Sequence, residues 1–166
     1  MTQSLPDMVL RGRRSGRTGR QPEQAPRRTQ RETVVALAGV PLFAGFTKRH
    51  LQRLAKEADQ QTFERGHTIV QEGMLGETLF VVLSGHAKVI RGRRKVGDLV
   101  PGDFFGELSA IDGGPRTASV VAETDLQVLR LFRRTLMSLL RDEPRLVTKL
   151  IEGMSRRLRE VQRRTG

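Results

Sequence analysis

The chain has no Cys, no Trp and no Tyr among its 166 residues. Without Cys there can be no disulfide, no thiolate nucleophile and no Cys-based metal site. Nothing approaches a run of about 18 apolar residues, so the sequence offers no membrane-spanning helix. The three histidines, His50, His67 and His86, have no metal-ligand spacing and read as surface or turn residues. The Arg13-Arg14 pair lacks the apolar stretch that a twin-arginine export signal needs after it. A cytoplasmic protein is therefore expected.

Acidic residues are also scarce. Thirty Lys and Arg face 18 Asp and Glu, a formal net charge of +12. Half of that excess lies in residues 1–31, which hold eight Arg against Asp7 and Glu23. This segment, rich in Arg, Gly, Pro, Gln, Ser and Thr, has little to bury and reads as a disordered basic arm. A solvated tail is favoured over one that binds nucleic acid or anionic lipid, because the arm has no aromatic residue to stack on bases. Arg13-Arg14-Ser15 and Arg27-Arg28-Thr29 resemble basophilic-kinase sites, a common feature of Arg-rich tails.

Residues 32–166 read as one domain. Order is expected to begin near Thr33, and Thr47 is placed to cap a helix through about Ala58, with Leu51, Leu54, Ala55 and Ala58 on one face. From Gln60 to Phe132 short Val/Leu/Ile/Phe segments alternate with glycine. Strands are predicted at Thr68–Val70, Thr78–Leu83, Ala87–Ile90, Lys95–Val100, Ala118–Ala122 and Gln127–Phe132. The fold class is then α+β: an antiparallel β-barrel, double-stranded β-helix or jelly-roll-like, flanked by N- and C-terminal helices. A short helix is predicted over Thr135–Leu140, with Pro144 in the first turn of a last helix. There Val147, Ile151, Met154, Leu158 and Val161 form a heptad-like seam that can pack on its own barrel or on a second copy. Gly153 costs that helix about 1 kcal/mol and could mark a bend.

The informative stretch is Pro101 to Val121, PGDFFGELSAIDGGPRTASVV. Gly106 permits close backbone approach, and Glu107 to Ile111 can form a short helix whose first amides, at Leu108 and Ser109, can face an anion. Asp112-Gly113-Gly114-Pro115 turns the chain back and brings Arg116 to the same place, with the Thr117 hydroxyl beside it. A guanidinium suits phosphate oxygens, and a carboxylate suits a ribose 2′-hydroxyl. Together they describe a nucleotide pocket.

Phe105-Gly106-Glu107-Leu108-Ser109 and Pro115-Arg116-Thr117-Ala118-Ser119-Val120 resemble the phosphate-binding cassette of cyclic nucleotide-binding domains. Such domains occur in the catabolite activator family, in regulatory subunits of cAMP-dependent protein kinase and in nucleotide-gated channels. Leu42-Phe43, Gln71-Glu72-Gly73 with Gly76, and Phe80 to Gly85 match further family landmarks, so the resemblance spans roughly residues 37–160.

The resemblance implies a ligand, cAMP before cGMP, and no cofactor or metal. Glu107 would hold the ribose 2′-hydroxyl and Arg116 the cyclic phosphate, aided by the amides of Gly106, Leu108 and Ser109 and by the Thr117 hydroxyl. Thr117 resembles channel and cGMP-binding members and leaves base preference open. The residue capping the base would come from the last helix, an Arg or apolar residue between Met154 and Leu158, or from a partner chain.

The expected role is a stand-alone, non-enzymatic sensor, with an unidentified protein effector or a homodimer through the C-terminal helix as partner. Two alternatives stand beside it: a truncated catabolite-activator-like regulator whose basic arm contacts nucleic acid, and a degenerate pocket serving as an interaction domain. The catabolite activator type places a helix-turn-helix after the long helix, and only five residues follow Val161 here. A phosphodiesterase would want a metal cluster of His and Asp, which the sequence lacks.

Overall fold

The computed structural model describes residues 27–165, so residues 1–26 of the expected basic arm and residue 166 lie outside it. Helix α1, Gln30–Ala38, starts before Thr33 because Thr29 caps it. The Thr29 hydroxyl accepts from the Glu32 amide at 3.3 Å, and the Glu32 carboxylate accepts from the Thr29 amide at 2.7 Å. After a 3-10 turn at Pro41–Phe43 comes α2, Lys48–Glu57. Thr47 caps α2 as expected, Leu51 and Leu54 are buried, and Ala55 and Ala58 pack at the margin of the core.

Eight strands follow: β1 Asp59–Phe63, β2 Thr68–Val70, β3 Thr78–Ser84, β4 Ala87–Arg91, β5 Arg94–Leu99, β6 Phe104–Phe105, β7 Ser119–Ala122 and β8 Leu126–Phe132. Between β6 and β7 lies α3, Glu107–Asp112, and the chain closes with α4, Arg133–Asp142, and α5, Pro144–Thr165. The strands pair as nested antiparallel couples, β1 with β8, β2 with β7, β3 with β6 and β4 with β5. Two four-stranded sheets result, ordered β1-β8-β3-β6 and β2-β7-β4-β5. This nesting is the jelly-roll pattern.

The expected barrel does not close: among the described residues no ladder joins the two sheets. The edge strands β6 and β2 are too short, at two and three residues, to bridge them. Pro101-Gly102 and Gly106 hem in β6 on either side.

β3 and β8 are covered on both faces, which accounts for their nearly continuous apolar sequence. Leu79, Val81, Leu129 and Leu131 face a helical layer containing Leu37, Leu54, Leu136, Leu146 and Leu150. Phe80, Val82, Leu126 and Val128 face the second sheet at Ala87, Leu99, Val120 and Ala122.

The seam of α5 behaves differently from a face packed on its own domain. Val147, Ile151 and Leu158 are exposed, whereas Leu146, Leu150 and Gly153 are buried. At Gly153 α5 packs closely on β6: a Cβ there would lie 2.6 Å from Cζ of Phe104. Its lack of a side chain permits that contact.

Candidate functional site

β6 leads into α3 through Gly106, whose φ of +79° is a left-handed conformation that glycine adopts without strain. A Cβ there would also meet the Thr78 carbonyl oxygen at 2.6 Å and Nη1 of Arg116 at 2.7 Å. α3 begins with no side-chain cap, so its first-turn amides, including those of Leu108 and Ser109, have no side-chain acceptor there.

The return turn is built by Asp112, whose carboxylate accepts from the Gly114 amide at 2.7 Å, and by Gly113 at φ +71°. It delivers Arg116 to the segment before β3. There the Arg116 amide donates to the Met74 carbonyl at 2.9 Å, and the Gly73 amide donates to the Arg116 carbonyl at 2.9 Å.

The Arg116 side chain turns inward and the residue is 7% exposed. Nη1 donates to the carbonyl oxygens of Thr78 at 2.8 Å and Gly106 at 3.2 Å, and Nη2 donates to the Thr78 hydroxyl at 2.7 Å. Burial pulls this guanidinium below its ordinary pKa, and the nearby Glu107 charge offsets part of that pull. It stays a cation, since arginine starts so far above neutral pH.

Glu107 is 9% exposed, and its Oε1 accepts from Nη1 of Arg157 in α5 at 3.1 Å. The same guanidinium lies 4.5 Å from the centre of the Phe104 ring.

All six residues expected at the site, Gly106, Glu107, Leu108, Ser109, Arg116 and Thr117, line one cavity of about 800 Å³. Its apolar lining comes from Val70, Val89, Leu99, Phe105 and Val120, and α5 contributes Ile151 through Leu158, Glu160 and Val161. Thr117 sits at the exposed rim, where its carbonyl accepts from Nε of Arg91 at 3.2 Å. A separate depression of about 440 Å³, lined by Arg65, His86, Lys88 and Glu123 among others, holds none of the six.

Two residues of this constellation escaped the sequence. Thr78 gave no signal beyond opening a strand, and Arg157 lay unsingled inside the Met154–Leu158 bracket. Its position four residues after Gly153, one helical turn on, puts it on the same side of α5 as the contact with Phe104.

A volume of this size fits a small ligand, and a buried cation near a buried carboxylate suits one carrying both an anion and a hydroxyl donor. The family profile for the cyclic nucleotide-binding domain matches residues 60–143. The CRP-like cAMP-activated global transcriptional regulator of Mycobacterium tuberculosis is 35% identical over 78% of this chain and 59% of its own length. The chain belongs to the cyclic nucleotide-binding domain family.

A cAMP-dependent protein kinase regulatory subunit from Hypocrea atroviridis is 32% identical over 78% of this chain and 26% of its own length. The crystal structure of Thermus thermophilus catabolite activator protein superposes with a TM-score of 0.68 at 34% identity, covering 75% of this chain and 61% of that one. The chain thus spans about three-fifths of the length of the activator-type relatives and about a quarter of the kinase subunit. The Mycobacterium tuberculosis relative is named as a regulator and the Hypocrea atroviridis relative as a regulatory subunit. The profile match ends at residue 143, before α5 and Arg157. No helix of the described residues is long and apolar enough to cross a membrane.

Proposed function

We propose that the protein binds cAMP in the cavity beneath α5 and reports its occupancy without catalysing a reaction. The observation that carries this reading is the placement of a 7%-exposed Arg116 and a 9%-exposed Glu107 on the wall of a single cavity. A buried cation is costly unless something compensates it, and a ring phosphate does so through bidentate, charge-assisted bonds. Glu107 uses Oε1 for Arg157. Its second oxygen is then the acceptor for a ribose 2′-hydroxyl, while the amides of Gly106, Leu108 and Ser109 and the Thr117 hydroxyl complete the phosphate shell. The cAMP assignment is supported by the relatives named for cAMP, at 35% and 32% identity.

The read-out element is α5, because the same Glu107 would then serve both ligand and helix. Its exposed stripe of Val147, Ile151 and Leu158 supports pairing with a second copy.

The test is calorimetry with cAMP and, separately, cGMP. Arg116→Ala is expected to weaken cAMP binding by about 30- to 1,000-fold, or about 2–4 kcal/mol, because a charged group goes unpaired. An unchanged dissociation constant would remove Arg116 from the phosphate role, and tighter cGMP binding would overturn the cAMP assignment. Appearance of AMP on incubation with cAMP would overturn the non-catalytic role.

A further inference from the structure

A guanidinium carries five N–H donors in a planar fork, and where Arg116 spends them decides what it can offer a ligand. Three are taken, two from Nη1 to the carbonyls of Thr78 and Gly106 and one from Nη2 to the Thr78 hydroxyl. The Nε proton and the second Nη2 proton remain, and in a planar guanidinium these lie side by side along one edge. That edge is the one that meets a phosphate in bidentate fashion.

We propose that Thr78 is the positioning residue of the site, holding the far end of the Arg116 guanidinium with both its carbonyl and its hydroxyl so that the free edge faces the cavity. The inference rests on the cyclic-nucleotide reading above.

Thr78 opens β3, half-buried at the end of the strand, where its pairing with Phe132 of β8 fixes the backbone that carries both acceptors. Both are neutral. A carboxylate in that place would hold the guanidinium equally firmly but would cancel its charge; a carbonyl and a hydroxyl leave the charge for an incoming anion.

The neighbours remove other options. A Cβ would lie 2.5 Å from Nη2 at Gly76 and 2.7 Å from Nη1 at Gly106, so a side chain at either position would push the guanidinium out of this place. Phe80 lies beneath, its ring centre 5.9 Å from the guanidinium carbon. A threonine opening a strand would ordinarily be explained by strand preference alone, which valine would satisfy as well. The 2.7 Å bond to Nη2 is what valine cannot supply.

The test compares cAMP affinity for wild type, Thr78→Val, Thr78→Ser, Arg116→Ala and the Thr78→Val/Arg116→Ala double variant, by competition against a fluorescent cyclic nucleotide. Thr78→Val is expected to bind about tenfold more weakly, the effect of one hydrogen bond to a charged group, and Thr78→Ser within about twofold of wild type. In the Arg116→Ala background the valine substitution should cost nothing further, because a positioning residue has nothing left to position. Full affinity in Thr78→Val, an equal loss in Thr78→Ser, or additive losses in the double variant would each overturn the role of Thr78. Wild-type protein that binds no cyclic nucleotide, or Arg116→Ala that binds as wild type does, would instead overturn the reading beneath it.

Discussion

Replacing Gly153 by alanine sets two physical effects of opposite sign against each other. In the interior of a helix, Gly→Ala ordinarily stabilises by about 1 kcal/mol through backbone entropy. Here the new methyl would lie 2.6 Å and 2.8 Å from two carbon atoms of the Phe104 ring, well inside van der Waals contact. Phe104 is 5% exposed and packed in the helix-side core, so the ring has little room to yield. Overpacking of this kind costs about 1–3 kcal/mol. The packing term wins by about 1 kcal/mol, a fall in Tm of about 2–4 °C for a domain of this size. Thermal unfolding followed by circular dichroism measures it. A peptide of residues 144–165 carrying the same change should become more helical, since Phe104 is absent there. A Gly153→Ala protein that melts at or above the wild-type temperature would refute the argument and leave Gly153 without a packing role.

Two further outcomes follow from ion pairs and caps. Arg157→Ala leaves the buried Glu107 without its partner and should destabilise by about 1–2 kcal/mol, discounted because the Arg157 side chain is 33% exposed. A double-mutant cycle with Glu107→Gln in urea unfolding should return a coupling, and simple additivity would show that the pair contributes nothing. The Glu32 carboxyl is held below its ordinary range by the Thr29 amide first and the Thr29 hydroxyl second. Its contribution is therefore present above the ordinary carboxylate range and is lost as pH falls through the lowered folded value. Wild type and Glu32→Gln should differ in stability near neutral pH and converge as pH falls below the lowered folded value, and a gap that persists once the carboxyl is fully protonated would contradict the capping box.

The cassette was legible because each residue type answers a local demand. Gly106 and Gly113 take φ of +79° and +71°, Asp112 closes its own turn, and Glu107 opens α3. β3, β4, β7 and β8 were legible from their apolar residues. β1 was not: Asp59-Gln60-Gln61-Thr62-Phe63 is mostly polar, half-exposed throughout, and is a strand because its backbone pairs with β8. β6, two residues before Gly106, is too short to show a period. The open sheets were missed because closure depends on strand length and register, which alternation does not encode. Thr78 and Arg157 were out of reach for another reason. Their contacts join residues 38 and 50 positions apart, and no local pattern announces which threonine or arginine will arrive.

Charge counting alone would also have misjudged the site. The cavity is lined by Arg91, Arg116, Lys149, Arg156 and Arg157 against Asp98, Asp103, Glu107, Glu152 and Glu160, five of each sign. Its net charge therefore favours neither anion nor cation, despite the excess of +12 over the whole chain. What distinguishes the two ends is how each charge is held. Glu107 meets a charged donor, so much of its field is already answered, and a neutral hydroxyl is the partner its free oxygen can best take. Arg116 hydrogen-bonds only neutral acceptors, and the nearby Glu107 charge offsets only part of its desolvation, so its open edge is suited to a full negative charge. On the proposed reading, selection comes from this contrast across a short helix. The coupling to α5 can then be no larger than the ligand's differential affinity for two arrangements of that helix.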